Sequence, residues 1–423
     1  MAMVRPPVTR PLAAAACAVV LSLTAGCVGG ASRADGTSAS PTGTTASAAG
    51  STATSPSTPG GPATSLARGQ LLTDAPLTGA AALPSAARNA LITYVSQGPD
   101  GRPVVVSGTV STPAGNPPEG GWPVLNWAHG TTGWADTCAP SLDTADGPEH
   151  DYLGGVSDVI DTWVSKGYAV VRTDYVGLGT PGGHPYLDGG SEADAVIDIL
   201  RAARQLDPSI GARWVVAGHS QGGQATLFTA AEAAAQAPDL PLLGAVAIAP
   251  GGVHVGDAVA GLASGQGSEA LEAFLPVILL GAQSAGVDVV PDQVLADQAL
   301  PGLAVGRAQC LGQGRDIAAV PLDAYLRPGA DLTGVVDYLD QQDPRNVTPR
   351  VPVMVAQGTA DTVVPPAGTQ ELVQKYCAAG LDVDLRQYDG QDHRGAVTAS
   401  KDDAQQYVAA LFAGSTPSST CGS

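Results

Sequence analysis

An α/β fold with a mostly parallel central sheet, helices on both faces and an inserted block of helices is the class that this sequence of 423 residues predicts. Three observations predict it. From about residue 90 onward, short apolar runs alternate with helix-length segments, the pattern of strands joined by crossover helices. The first two runs, "ALITYVS" and "PVVVSGTVST", flank the turn "GPDG" and read as an antiparallel hairpin. Between about 251 and 348 the alternation breaks, and "EALEAFLPVILLGAQSAG" and its successors read as helices with no strand between them, a helical cap set into the sheet.

The chain before the first strand divides in two. Arg5 and Arg10 precede the apolar stretch "PLAAAACAVVLSLTAG", the layout of a secretory signal and shorter than the about 20 residues that span a bilayer. Its ending, "LTAGC", resembles a bacterial lipobox, although Thr24 stands where that pattern prefers an aliphatic residue. Residues 1–26 are therefore expected to be a lipoprotein signal peptide, with Cys27 lipidated and holding the protein to a membrane; plain secretion is the alternative. Residues 27–65 are almost entirely Gly, Ser, Thr, Ala and Pro, too poor in apolar groups to offset the entropy of ordering, and read as a disordered tether. Residues 66–423 are the folded unit.

Within that unit the further strand candidates are "WPVLNWAHG", "YAVVRTDYV", "RWVVAGHS", "LLGAVAIAPG", "VPVMVAQGT" and "VDLRQYDG". Helix candidates lie at roughly 155–166, 191–206, 221–236, 365–379 and 398–412. Charge narrows the partners. Against 39 acidic residues stand 20 Lys and Arg, a net charge of -19, with no basic block to follow phosphates, so nucleic acid and acidic lipid head groups are poor partners. Of 6 cysteines, Cys17 leaves with the signal and Cys27 is the anchor. Cys138, Cys310, Cys377 and Cys421 form an even set for an oxidising compartment, which points to two disulfides and leaves three pairings open. Their spacings match no zinc pattern, and no metal is expected.

The chemistry centres on "VVAGHSQGGQA", residues 215–225. Ser220 follows a strand candidate and precedes an Ala-rich helix candidate, the setting in which G-x-S-x-G forms a nucleophile elbow, with Gly218 and Gly222 small where the backbone doubles back. A serine nucleophile needs a base and a group that orients the base, and in this chain order both lie downstream. His129, His150, His184 and His219 precede Ser220, and His254 opens the inserted block; that leaves His393, beyond the last strand candidate. Asp361, in the loop after the penultimate strand candidate, is the first choice of acid, ahead of Asp384, Asp389 and Asp392. The N–H of Gln221 and that of Thr131, in the loop "HGTTG", are the candidate oxyanion donors. His129 reads as a structural loop residue and His219 as packed beneath the elbow. "GLGTPG" fits a dinucleotide-binding pattern by letter but is followed by no helix, and "FLPVILL" reads as core before acyl pocket.

Taken together, "NWAHGTTG", "CAPS", "TDYVGLGTPGGHPYLDGGSEADAVIDILRAAR", "AGHSQGGQA" and "QGTADTVVP" resemble the secretory lipase family of α/β-hydrolases, from roughly residue 66 to the C-terminus. The resemblance implies the α/β-hydrolase fold, a helical cap over the site, no cofactor, and esterase or lipase activity on an ester or lipid substrate. It implies Ser220 as nucleophile, Asp361 as acid and His393 as base, and disulfides Cys138–Cys310 and Cys377–Cys421. No protein partner is evident, and the expected place is extracytoplasmic, at the cell surface or secreted. Two other classes fit the same residues: a non-catalytic lipoprotein that binds an apolar ligand, and a serine peptidase or acyltransferase on the same fold.

Overall fold

The structure, a computed structural model, describes residues 66–423 except 265, 267, 268, 315, 316, 318 and 423. The signal segment, Cys27 and the tether lie outside the described residues. One sheet of nine strands organises the fold: β1 (Leu71–Pro76), β2 (Arg88–Gln97), β3 (Pro103–Thr112), β4 (Trp122–Ala128), β5 (Ala169–Thr173), β6 (Ile210–His219), β7 (Leu242–Ile248), β8 (Val353–Gly358) and β9 (Val383–Tyr388). Their order is β1-β2-β3-β5-β4-β6-β7-β8-β9. The pairs β1–β2, β2–β3 and β3–β5 are antiparallel, and every pair from β5 across to β9 is parallel.

The strand β1 is absent from the sequence reading. Its residues, "LLTDAP", carry no period-two alternation, because four of the six face solvent at the sheet edge and Pro76 sits where no ladder N–H is needed. The central strands show the opposite: apolar on both faces, as a parallel sheet buried twice must be. Trp214 and Val216 of β6 enter one core with Ala245 and Ala247 of β7, while Val215 and Ala217 enter the other with Val246 and Ile248.

Helices cover both faces. α1 (His150–Ser165) and α11 (Gly395–Phe412) pack on one side; α2 (Gly189–Leu206), α3 (Gln221–Gln236) and α10 (Pro366–Ala378) pack on the other. The sequence places the start of α1 at about residue 155, five residues late; Glu149, its N-cap, makes no side-chain capping bond and offers no start signal. Between β7 and β8 lie α4 (Val255–Ala263), α5 (Glu269–Ser284), α6 (Pro291–Val294), α7 (Leu300–Ala308), α8 (Leu311–Gly314) and α9 (Thr333–Gln341). This insertion has its own core, with Leu275, Ile278, Leu303, Val335 and Leu339 buried in it. "FLPVILL" lies in α5 and is mostly that core.

Two disulfides are present, Cys138–Cys310 and Cys377–Cys421. The first ties the loop after β4 to the insertion, reinforced by a backbone bridge between Gly133 and Cys310 and by the Leu311 N–H donating to the Thr132 carbonyl at 2.9 Å.

Candidate active site

Ser220 stands between the end of β6 and the start of α3 at φ 58° and ψ -119°, a backbone conformation costly for any residue with a β-carbon. The fold holds it there through the main chain. The Ser220 N–H donates to the Ile248 carbonyl at 2.9 Å, and its carbonyl accepts from Gly223 and Gly251, each at 2.8 Å, and from Gln224 at 3.1 Å. A β-carbon on Gly218 would overlap the Gly222 carbonyl, and one on Gly222 would overlap the Ala128 carbonyl, so both glycines are fixed by close approach of backbone.

His393 and Asp361 meet across the ends of β8 and β9. The His393 Nδ1–H donates to Asp361 Oδ2 at 2.8 Å, which leaves Nε2 as the basic nitrogen of that ring. Asp361, 4% exposed, also accepts from the N–H groups of Val363 and Val364 at 2.9 and 2.8 Å and from Gln357 Nε2 at 3.1 Å. Burial pushes its carboxyl up, but the hydrogen bond and charge of His393, with the two backbone donors, outweigh it and hold the group below its ordinary value. Ser220, Thr131 and His393 line one small cleft, with Phe274 and Leu311 of the insertion facing them.

His219 is packed at the elbow, as the sequence predicts, but its partners have no counterpart in the sequence reading. The His219 Nε2–H donates to the His393 carbonyl at 2.9 Å, so Nδ1 is the acceptor and takes the Tyr152 hydroxyl proton at 2.8 Å. The Tyr152 oxygen in turn accepts the Gly130 N–H at 3.1 Å. One chain of hydrogen bonds therefore joins the loop after β4, the elbow and the His393 loop. Burial holds the His219 ring well below its ordinary value, consistent with this neutral tautomer. His129 is likewise buried, against the carbonyls of Gly130 and Asp174.

Beneath the elbow the Gln221 side chain donates to Glu192 Oε1 at 2.7 Å and to His184 Nε2 at 2.8 Å; His184 Nδ1–H donates to the Val176 carbonyl at 2.9 Å. Burial pushes His184 down to about 3 and pushes the Glu192 carboxyl well above its ordinary value. Glu192 Oε2 has no partner among the described residues. A raised carboxyl contributes its full stability below the free value of 4.5 and loses it progressively as pH climbs toward the folded value. Glu192→Gln keeps the acceptor for Gln221 and removes that loss. The variant is expected to melt above the wild type at pH 8, by a margin that shrinks toward pH 5; an equal margin at both pH values in thermal denaturation would refute the ionisation argument.

A family model described as secretory lipase matches residues 157–274 and 335–420. A curated relative, Lipase A of Moesziomyces aphidis, is 24% identical over 321 residues, covering 67% of this chain; the chain spans 65% of that relative's length. Among solved structures, Candida antarctica lipase A superposes with a TM-score of 0.70 at 20% identity, over 84% of this chain and 85% of that one. The rice cell wall degrading esterase LipA of Xanthomonas oryzae gives 0.64 at 23% identity, over 82% and 100%. These structural likenesses speak for the shared fold, and the family model finds the resemblance to secretory lipases in the two segments that hold Ser220, Asp361 and His393.

Proposed function

We propose that the protein hydrolyses carboxylic esters through an acyl-enzyme on Ser220. The observation that carries this reading is the His393–Asp361 hydrogen bond at 2.8 Å, made by a histidine that lines the same cleft as the strained Ser220. In it, His393 Nε2 takes the Ser220 proton as Oγ bonds to the ester carbonyl carbon, and returns the proton to the leaving alcohol as the C–O bond breaks. Water then attacks the acyl-enzyme, giving a proton to the same nitrogen, and the serine leaves with it. The N–H groups of Gln221 and Thr131 receive the negative charge on the carbonyl oxygen, and Asp361 keeps the imidazole in the productive tautomer. The Tyr152–His219 chain supports this arrangement by fixing the Gly130 and His393 backbones relative to each other.

The insertion contains a cavity of about 830 Å³ between α5, α7 and α8, lined by Pro276, Val277, Gly302, Gly306 and Tyr325 among others. Leu311 is common to this cavity and to the Ser220 cleft, which supports the cavity as the place for the acyl chain. Gly302 has an open neighbourhood: a β-carbon there meets nothing nearer than 3.7 Å. Gly302→Phe is therefore expected to fill the cavity without disturbing α7, and to lower kcat/KM for a dodecanoate p-nitrophenyl ester about tenfold relative to the butyrate, the scale on which apolar pockets discriminate. The same panel should show ester turnover and no release from a peptide p-nitroanilide. Amide turnover rivalling ester turnover would favour the peptidase reading, and an unchanged chain-length ratio in the variant would place the acyl chain elsewhere.

The two disulfides support an extracytoplasmic location. Anchorage through a lipidated Cys27 belongs to the same reading and brings the site to a membrane surface.

A further inference from the structure

We propose that Arg394 forms an anion subsite for the alcohol portion of the ester, so that favoured substrates carry a carboxylate there. The inference rests on the ester-hydrolase reading above and names a substrate class for that site. Arg394 follows His393 and lines the Ser220 cleft, in which no carboxylate takes part. Several described arginines are engaged by acids, among them Arg307 by Asp292, Arg327 by Asp297, Arg345 by Asp343 and Arg386 by Asp384, while Arg172, Arg204 and Arg213 donate to hydroxyl or carbonyl oxygens away from the cleft. Arg394 has no such ion pair among the described residues. Its guanidinium lies over the Tyr152 ring, 5.0 Å from the centroid. Two carboxylates around it are engaged elsewhere: Asp361 accepts from His393, and Asp392, two residues before Arg394, accepts the Gly395 N–H at 2.7 Å.

Stacking occupies one face of a planar guanidinium and leaves the N–H groups along its edge, the groups that bind a carboxylate in pairs. The platform is rigid, because the Tyr152 hydroxyl is held by both Gly130 and His219. Such a cation is set in place before any ligand arrives. In a chain of net charge -19, an anion meets general repulsion and can settle only where a local cation outweighs it.

The cleft has two continuations, and they assign the two halves of an ester. Leu311 also lines the larger cavity of the insertion, the side assigned above to the acyl chain. Tyr152 and Arg394 are shared with an outer groove between α1 and the start of α11, where Gly155, Val397 and Thr398 lie. The alcohol portion takes that side and passes Arg394. Asp151, also in the groove, confines the anion to the position beside the guanidinium.

The test compares two ester pairs in wild type, Arg394→Gln and Arg394→Lys. The first pair carries or lacks the charge on the alcohol side: the butyrate ester of p-hydroxybenzoate against that of p-hydroxybenzamide. The second carries or lacks it on the acyl side: monophenyl glutarate against phenyl butyrate. The expected result is that Arg394→Gln lowers the anionic-to-neutral ratio of kcat/KM about tenfold for the first pair alone, and that Arg394→Lys keeps most of it. Added salt should lower the wild-type ratio toward that of the Gln variant. Calorimetric binding of p-hydroxybenzoate, the alcohol product, should weaken about tenfold in Arg394→Gln and reads the subsite without turnover. An alcohol-side ratio and a product affinity both unchanged by Arg394→Gln would overturn the proposal, as would an equal loss for the acyl-side pair. Turnover of the neutral esters, and its disappearance in Ser220→Ala, reports separately on the ester-hydrolase reading.

Discussion

Ser220→Ala lowers kcat/KM for a short-chain ester by about 10⁴-fold or more while the protein stays folded. The size follows from the role: without Oγ there is no acyl-enzyme, and only binding and the oxyanion donors remain to assist water. The fold survives because the turn is held by the Ser220 main chain, through its bonds to Ile248, Gly223, Gln224 and Gly251, and alanine makes all of these. Alanine also keeps the positive φ of 58° at the same cost as serine. Steady-state kinetics with circular dichroism and thermal melting check both halves. A folded variant keeping a tenth of wild-type turnover would end the serine-nucleophile reading.

Asp361→Asn should lower kcat by about 10⁴-fold at neutral pH, through the tautomer of His393. Asp361 Oδ1 accepts two backbone N–H groups, from Val363 and Val364, and only an oxygen can take that place. The asparagine carbonyl therefore stays there, and its NH₂ replaces Oδ2 in front of His393 Nδ1 and Gln357 Nε2. Facing a donor, the imidazole keeps its proton on Nε2, the nitrogen that must take the serine proton. A separate signature comes from stability. The lowered carboxyl of Asp361 contributes stability in full above the free value of 3.8 and loses it as pH falls through the folded value. The wild type should thus melt above Asp361→Asn at neutral pH, with the gap narrowing as the solution is acidified into that range. Near wild-type kcat in the variant would remove Asp361 from the mechanism.

The elbow was legible because its constraints are local. Gly218, Ser220 and Gly222 are dictated by one turn in which β6 and α3 crowd their own backbones against Ala128. The parallel strands were legible because burial on two faces writes continuous apolar runs. Asp361 and His393 could be singled out only by chain order and elimination, since nothing beside them in sequence states that they touch. The supporting layer was not legible. Tyr152 reaches His219 across 67 residues, and Glu192 and His184 reach Gln221 across 29 and 37. A tyrosine on a buried helix face reads as core from spacing alone, and its hydrogen-bond partners emerge only when α1 is laid on the sheet. Nothing in the sequence singles out Arg394, whose ring partner and place in the cleft arise only in the fold. β1 escaped for the converse reason, an edge strand with little to bury.

The Cys138–Cys310 bond also sets an order of assembly. Its partners are 172 residues apart, and β5, β6, β7 and the first helices of the insertion lie between them. Synthesis delivers Cys138 early, but the loop beside Thr131 cannot be clasped until the segment around Cys310 has been made, with its Gly133 bridge and the Leu311 bond to Thr132. The strained turn of Ser220, by contrast, is specified by neighbours already in hand once β7 has followed α3. His393 comes later than either. The growing chain thus acquires its serine first, the clasp on the adjoining loop second and its base last, and each part is inert until the next arrives. A chain interrupted anywhere between β7 and β9 would carry the nucleophile without the group that activates it.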